Sequence, residues 1–328
     1  MMTKTIGTLT TSALGLGCMA MSGAYGVSDR DEATATVHAA LDAGITLLDT
    51  ADFYGMGHNE LLIAEALRSV PRDQYQLSVK FGAQLGPDTS WAGFDARPCA
   101  VKAAVAYSLQ RLGTEHIDIY RPARLDPAVP IEDTIGAIGE LVDAGYVRRI
   151  GLSEVGSETI RRAAAVRPIN DLQIEYSLVS RGVENNILNT CRELGIGVTA
   201  YGVLARGLIS GHWTKSSGGQ GDFRKASPRF AEDNLDRNLA LVEALRSVAQ
   251  ELDVTVAQAA IAWVGSRGAD IVPLVGARTR TRLAEALGAA TLELTVDQLD
   301  RIEVAVPAAQ VAGDRYPAAQ MAVLDSER

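Results

Sequence analysis

The chain has 328 residues, 47% hydrophobic and 22% charged, enough apolar sequence to bury a large core without disulfide or metal staples. A net charge of −9 and a pI near 5.1 argue against nucleic acid or an anionic membrane as partner, which leaves a small molecule. Cys18, Cys99 and Cys191 are odd in number and widely spaced, so neither a disulfide framework nor a zinc site is indicated, and no metal is expected.

In chain order, the Thr-rich start predicts a short hairpin over 3–10 that closes a barrel floor, followed by a first strand over 12–19. The LGLGC run there suits a buried strand better than a signal peptide, and no stretch nears the ~20 apolar residues of a membrane span, so the expected location is cytoplasmic. Helix and strand signals then alternate: helix 30–43, strand 45–51, helix 59–69, strand 76–82, helix 98–112, strand 117–122, helix 131–144, strand 148–153 and helix 157–166. Next come strand 171–177, helix 183–194, strand 197–204, helices 235–252 and 254–266, strand 271–275, helix 279–289 and an extra outer helix over 296–304. Eight strands in strict alternation with helices predict parallel pairing through right-handed crossovers. The expected fold is an α/β (β/α)8 TIM barrel, one domain spanning 1–328. Two segments exceed ordinary connector length, 86–97 and 206–229. Both follow strand ends and are expected to wall the barrel mouth, with Trp91 either a substrate contact or an anchor for its own loop.

Chemistry concentrates at two strand ends. Asp49-Thr50-Ala51-Asp52-Phe53-Tyr54-Gly55 follows one strand, and Lys80 lies near the end of the next. A phenol of ordinary pKa near 10 donates a proton efficiently near neutrality only if a neighbouring ammonium lowers that value, a role open to Lys80 held by Asp49. This pattern resembles the aldo-keto reductase family, whose signature Asp-Thr-Ala-x-x-Tyr-Gly and following strand-borne Lys match at Asp49, Tyr54 and Lys80. The resemblance runs from about residue 12 onward.

Near the other end, Pro273-Leu274-Val275-Gly276-Ala277-Arg278-Thr279-Arg280-Thr281-Arg282 places a turn and three arginines at a helix start, an expected phosphate site. No Gly-x-Gly-x-x-Gly fingerprint with a following acid is present, which disfavours a Rossmann cofactor site. The resemblance implies NADPH, with Arg278, Thr279 and Arg282 on its 2′-phosphate and Glu285 on the adenine. Ala286 stands where the family often has Asn. It further implies that Tyr201 stacks on the nicotinamide while Ser153 and Gln173 hold the carboxamide. Glu154 replaces the usual Asn after the serine, so either it turns outward or the carboxamide is held differently.

One family residue is missing. The run Asp118-Ile119-Tyr120-Arg121-Pro122-Ala123-Arg124-Leu125-Asp126-Pro127 has Ala123 where the resemblance implies a histidine aimed at the substrate carbonyl. His38 and His116 read as surface or cap residues, whereas His58 and His212 stay open as alternatives. Ala123 leaves room for a water, a bulkier substrate, or a side chain such as Arg121 or Arg124. The resemblance implies reduction of an aldehyde or ketone, with Asp49, Tyr54 and Lys80 catalytic and Trp91, Ala123 and Arg124 lining the pocket. The alternative is a non-enzymatic or very slow NADPH-binding redox sensor or regulatory subunit.

Overall fold

The computed structural model describes residues 1–88, 90–218 and 222–327. Parts of both long loops, residue 89 and residues 219–221, therefore lie outside the described residues. Strands β1 (Thr3–Ile6) and β2 (Leu9–Ser12) form an antiparallel hairpin. The barrel strands are β3 (Gly15–Gly17), β4 (Leu47–Ala51), β5 (Gln76–Phe81), β8 (Ile117–Pro122), β9 (Val147–Ser153), β10 (Ile169–Glu175), β11 (Gly197–Tyr201) and β12 (Ile271–Gly276). Each pairs in parallel with the next, and β12 pairs with β3, so the sheet has no edge. A second hairpin, β6 (Ala83–Leu85) with β7 (Trp91–Phe94), occupies the segment expected to be a plain loop.

The central strands are buried along nearly their whole length because helices cover the outside while side chains fill the inside. The covering helices are α1 (Arg30–Asp42), α2 (His58–Leu67), α3 (Pro98–Leu112), α4 (Ile131–Asp143), α5 (Ser157–Val166), α6 (Ile187–Glu193), α7 (Glu232–Glu251), α8 (Val256–Ser266) and α9 (Arg280–Leu287). The extra helix α10 (Val296–Ala305) follows the last repeat, as expected, and a short α11 (Ala318–Met321) lies beyond it. Sequence capping is explicit in α8 and α10, where Thr255 with Gln258 and Thr295 with Gln298 form reciprocal capping boxes.

The first hairpin closes the floor. Ile6 is fully buried with Leu9, Leu47, Ile119, Val272 and Leu274 in a cluster inside the barrel. It reaches so far in that a Cβ at Gly197 would lie 2.4 Å from the Ile6 Cα. Lys4 ties the hairpin down by donating to the carbonyls of Gly265, Gly268 and Ile271.

Several bounds differ from expectation, each for a local reason. The strand expected over 197–204 ends at Tyr201, because Gly202 turns the chain at φ 66°. The helix expected over 183–194 divides into a 3-10 turn, Gly182–Glu184, and α6. Strand β10 begins two residues early, with a register irregularity between Ile169 and Asp171. Among the described residues no helix is long and apolar enough to cross a membrane.

Candidate active site

Strand pairing brings the expected catalytic residues to the carboxyl ends of neighbouring strands. Ala51 pairs with Lys80 and Lys80 with Arg121, while Asp49 pairs with Ser78, so the Lys80 side chain reaches back two residues along the sheet to Asp49. The Lys80 ammonium donates to Asp49 Oδ1 at 2.5 Å and to the Thr50 carbonyl at 3.1 Å. It also lies 5.0 Å from the centre of the Tyr54 ring. Asp49 Oδ2 accepts from Ser78 Oγ at 2.8 Å and from Gln173 Nε2 at 2.6 Å.

Beneath this pair, Arg121 is fully buried, with both Asp171 oxygens within 2.9 Å of its Nη2 and Asp49 Oδ2 3.5 Å from its Nη1. Two carboxylates thus face two cations in the barrel interior, a balance that such burial requires. A Cβ at Gly151 would come within 2.6 Å of Arg121 Nε, so only glycine leaves room for this pair. Burial pulls the Lys80 pKa down, and Asp49 opposes it without restoring the ordinary value.

Tyr54 departs from one expectation. Burial first, and the Asp49 carboxylate second, push its phenol well above the ordinary pKa, against a lowering influence of Arg124. The Lys80 ammonium, although 5.0 Å from the ring centre, does not bring it back to its ordinary value. The phenol is therefore firmly protonated at neutral pH.

The mouth holds the residues expected around the nicotinamide. Ser153 is buried with no partner for its hydroxyl among the described residues, and it pairs in register with Gln173. Gln173 is tied to Asp49, which uses one of its two N–H donors. Glu154 turns inward: it is completely buried, in a left-handed conformation at φ 55°. There it is held by Arg315 at 2.5 and 2.8 Å, by the Tyr201 hydroxyl at 2.8 Å and by Ser326. Burial pushes the Glu154 carboxyl up, but Arg315 more than offsets this and lowers its pKa to about 2.

Neither Arg315 nor Tyr316 was singled out by sequence, since the segment after α10 has no periodicity. Tyr316 nevertheless meets the Tyr201 hydroxyl at 3.1 Å and accepts from Arg124 at 3.3 Å, with the Arg206 guanidinium 4.3 Å over its ring. Ala123 is buried, its N–H bonded to the Phe81 carbonyl at the end of the Lys80 strand. Arg121 points down to Asp171, and Arg124 turns to Tyr316. Trp91 packs edge-on against Phe94 of its own hairpin at 4.8 Å and is 58% exposed, the arrangement of a loop anchor.

None of the four histidines stands at Ala123. His38 bonds the Ala66 carbonyl, His116 lies 3.9 Å from Asp118, and His58 bonds Ser22. His212 does enter a site, reaching Glu285 at 2.8 Å.

That contact lies in a groove of about 410 Å³ running from Gly202 to Arg282, Glu285 and Ala286. Thr279 caps α9, and Arg278 bonds the Tyr25 and Val27 carbonyls without a carboxylate partner among the described residues. Arg282 bonds Glu285. Burial raises the Glu285 carboxyl, yet His212 and Arg282 together leave it below its ordinary pKa. Across the groove the Arg224 guanidinium lies 4.8 Å from the Tyr25 ring and 4.3 Å from the Trp213 ring. A basic end at a helix start, aromatic walls, and the unpartnered Ser153 hydroxyl and Trp213 N–H suit a long nucleotide cofactor.

A model of the Aldo/keto reductase family matches residues 13–306. A probable aldo-keto reductase of Glycine max is 41% identical over 308 residues, covering 93% of this chain and 88% of that protein. A glycerol dehydrogenase structure from Gluconobacter oxydans superimposes with a TM-score of 0.85 at 28% identity, covering 93% of this chain and 96% of its own. The holo form of an aldo-keto reductase from Bacillus halodurans gives 0.78 at 26% identity, with 94% and 97% covered.

Proposed function

Since the chain belongs to the aldo/keto reductase family, a family of oxidoreductases that act on small carbonyl compounds, we propose that it reduces an aldehyde or ketone to the alcohol with NADPH, Tyr54 giving the proton. The observation that carries this reading is the Asp49–Lys80 pair set under the Tyr54 ring, a proton donor and its charge support at the carboxyl ends of adjacent barrel strands.

Arg278, Thr279 and Arg282 would hold the 2′-phosphate, Glu285 the adenine, Tyr201 the nicotinamide face, and Ser153 with Gln173 the carboxamide. When bound, the reduced nicotinamide supplies the hydride that the carbonyl carbon receives. Tyr54 holds its proton until the oxygen gains charge, because burial keeps the phenol neutral. Lys80 then stabilises the phenolate left behind, and Asp49 keeps Lys80 charged and in place. Ala123 contributes no donor to that oxygen, which leaves Tyr54 to bear more of the stabilisation. The three cysteines are unpaired and two are buried, which supports a reducing, cytoplasmic setting.

Tyr54→Phe tests the assignment. It is expected to lower kcat by roughly 10²–10⁴ while leaving NADPH affinity nearly unchanged, and retention of more than about a tenth of the activity would assign the proton to another group. Fluorescence titration is expected to show NADPH at least about tenfold tighter than NADH, a modest return for two charge-assisted contacts. Tight NADPH binding with turnover on no aldehyde or ketone would instead support a redox sensor.

A further inference from the structure

We propose that Arg124, oriented by Tyr316, binds an anionic group on the carbonyl substrate, so that the preferred substrates are oxo acids or aldehydes bearing a carboxylate. The proposal rests on the reductase reading of the same site and narrows its substrate class.

Burial normally obliges an arginine to find a carboxylate. The buried arginines around the barrel obey this: Arg121 holds Asp171, Arg229 holds Glu175 and Arg315 holds Glu154, whereas Arg124 is only half-buried. Arg124 has no carboxylate within ion-pair distance among the described residues, although the chain carries nine more acids than bases. Its two bonds go to the Ala123 carbonyl at 2.6 Å and the Tyr316 hydroxyl at 3.3 Å. A guanidinium has five N–H donors, so three have no protein partner among the described residues and are open to water or a ligand at the half-exposed mouth.

Arg124 is also within electrostatic reach of the chemistry, since it lowers the Tyr54 pKa against the effect of burial. Tyr316 fixes the arginine, because its hydroxyl is shared with Tyr201 and its ring is covered by Arg206. The result is a planar cation just past the end of β8, joined through Tyr316 to Tyr201 at the barrel mouth, with ligand positions open. A carboxylate fits that fork in bidentate fashion, whereas a neutral alkyl chain would leave it unmet.

The test compares succinic semialdehyde with butanal, equal in carbon number and different in the carboxylate. A charge-assisted contact is worth about one to two decades in affinity. The natural protein is expected to favour the semialdehyde in kcat/KM by at least about tenfold, mainly through KM. In Arg124→Met that ratio should fall about tenfold or more. In Tyr316→Phe it should fall less, because the arginine is loosened rather than lost. Succinate, added with NADP+, should raise the melting temperature of the natural protein and not that of Arg124→Met. Turnover of both aldehydes without preference, or an equal loss on both in Arg124→Met, would overturn the anion site and leave the reductase reading intact. Arg124-dependent stabilisation by succinate without turnover of either aldehyde would support the anion site and overturn the reductase reading. Absence of both responses overturns both.

Discussion

Asp52 lies between the Asp49 strand and Tyr54, with one carboxyl oxygen buried and unpartnered. Burial first, then neighbouring Glu60, push its pKa up to about 7, against the opposing Gly82 N–H and Arg111. In the unfolded chain the group titrates near its ordinary 3.8. Between about pH 4 and 7 the native state therefore holds a proton that the unfolded state has released, and stability falls as pH rises through that window, then levels off. Asp52→Asn should flatten the fall and raise stability above pH 7, by an upper bound of about 4 kcal/mol. Urea unfolding at pH 5 and pH 8 measures it, and equal pH responses of the two proteins would show Asp52 already ionised in the folded state. A second residue-scale test is Ala123→His, which should speed reduction of a small, unhindered aldehyde by up to roughly 10²–10³ if a carbonyl donor is what the site lacks. Asp49, Tyr54 and Lys80 were legible because a motif names them. The raised pKa of Asp52 was not, because it depends on Glu60 arriving from α2 and on burial, neither of which a motif records.

Between strands, a requirement for glycine falls at Gly151 of β9. Its missing side chain is the space through which Arg121 reaches Asp171, with an added Cβ only 2.7 Å from Asp171 Oδ1. Gly151→Ala should cost at least the roughly 1–3 kcal/mol of ordinary overpacking, and more if the ion pair parts. An unchanged urea midpoint would show that the pair can shift without penalty. Reading 148–153 as a strand could not single out this glycine, because its need is set by Arg121 and Asp171 on two other strands. Element identity was otherwise readable wherever apolar runs and caps agreed: α3, β8 and α5 begin and end at the expected residues. It failed at the β6–β7 hairpin, where the Asp95 N–H closes the ladder on the Gly82 carbonyl and the Asp88 carboxylate accepts from Ser90 in the turn.

At the scale of the whole molecule, the segment after α10 is what completes the mouth. Its Arg315 is bound to Glu154 from β9 and to Glu327, and the matched family region stops at residue 306, before it begins. Arg315→Met would strand the Glu154 carboxylate in the interior, an expected loss of about 3–5 kcal/mol. The double variant Glu154→Gln with Arg315→Met should lose less than the two single changes summed, and strict additivity in urea unfolding would deny the coupling. Nothing in the sequence of that segment announced its destination, since a partner so distant leaves no local pattern. The same ion pair bears on how the protein is made. Glu154 and Arg315 are 161 residues apart, and translation at roughly 5–20 residues per second separates them by about 10–30 s. Throughout that interval the nascent chain carries a carboxylate at a strand end with its cation not yet synthesised, so the mouth is the last part of the protein able to mature.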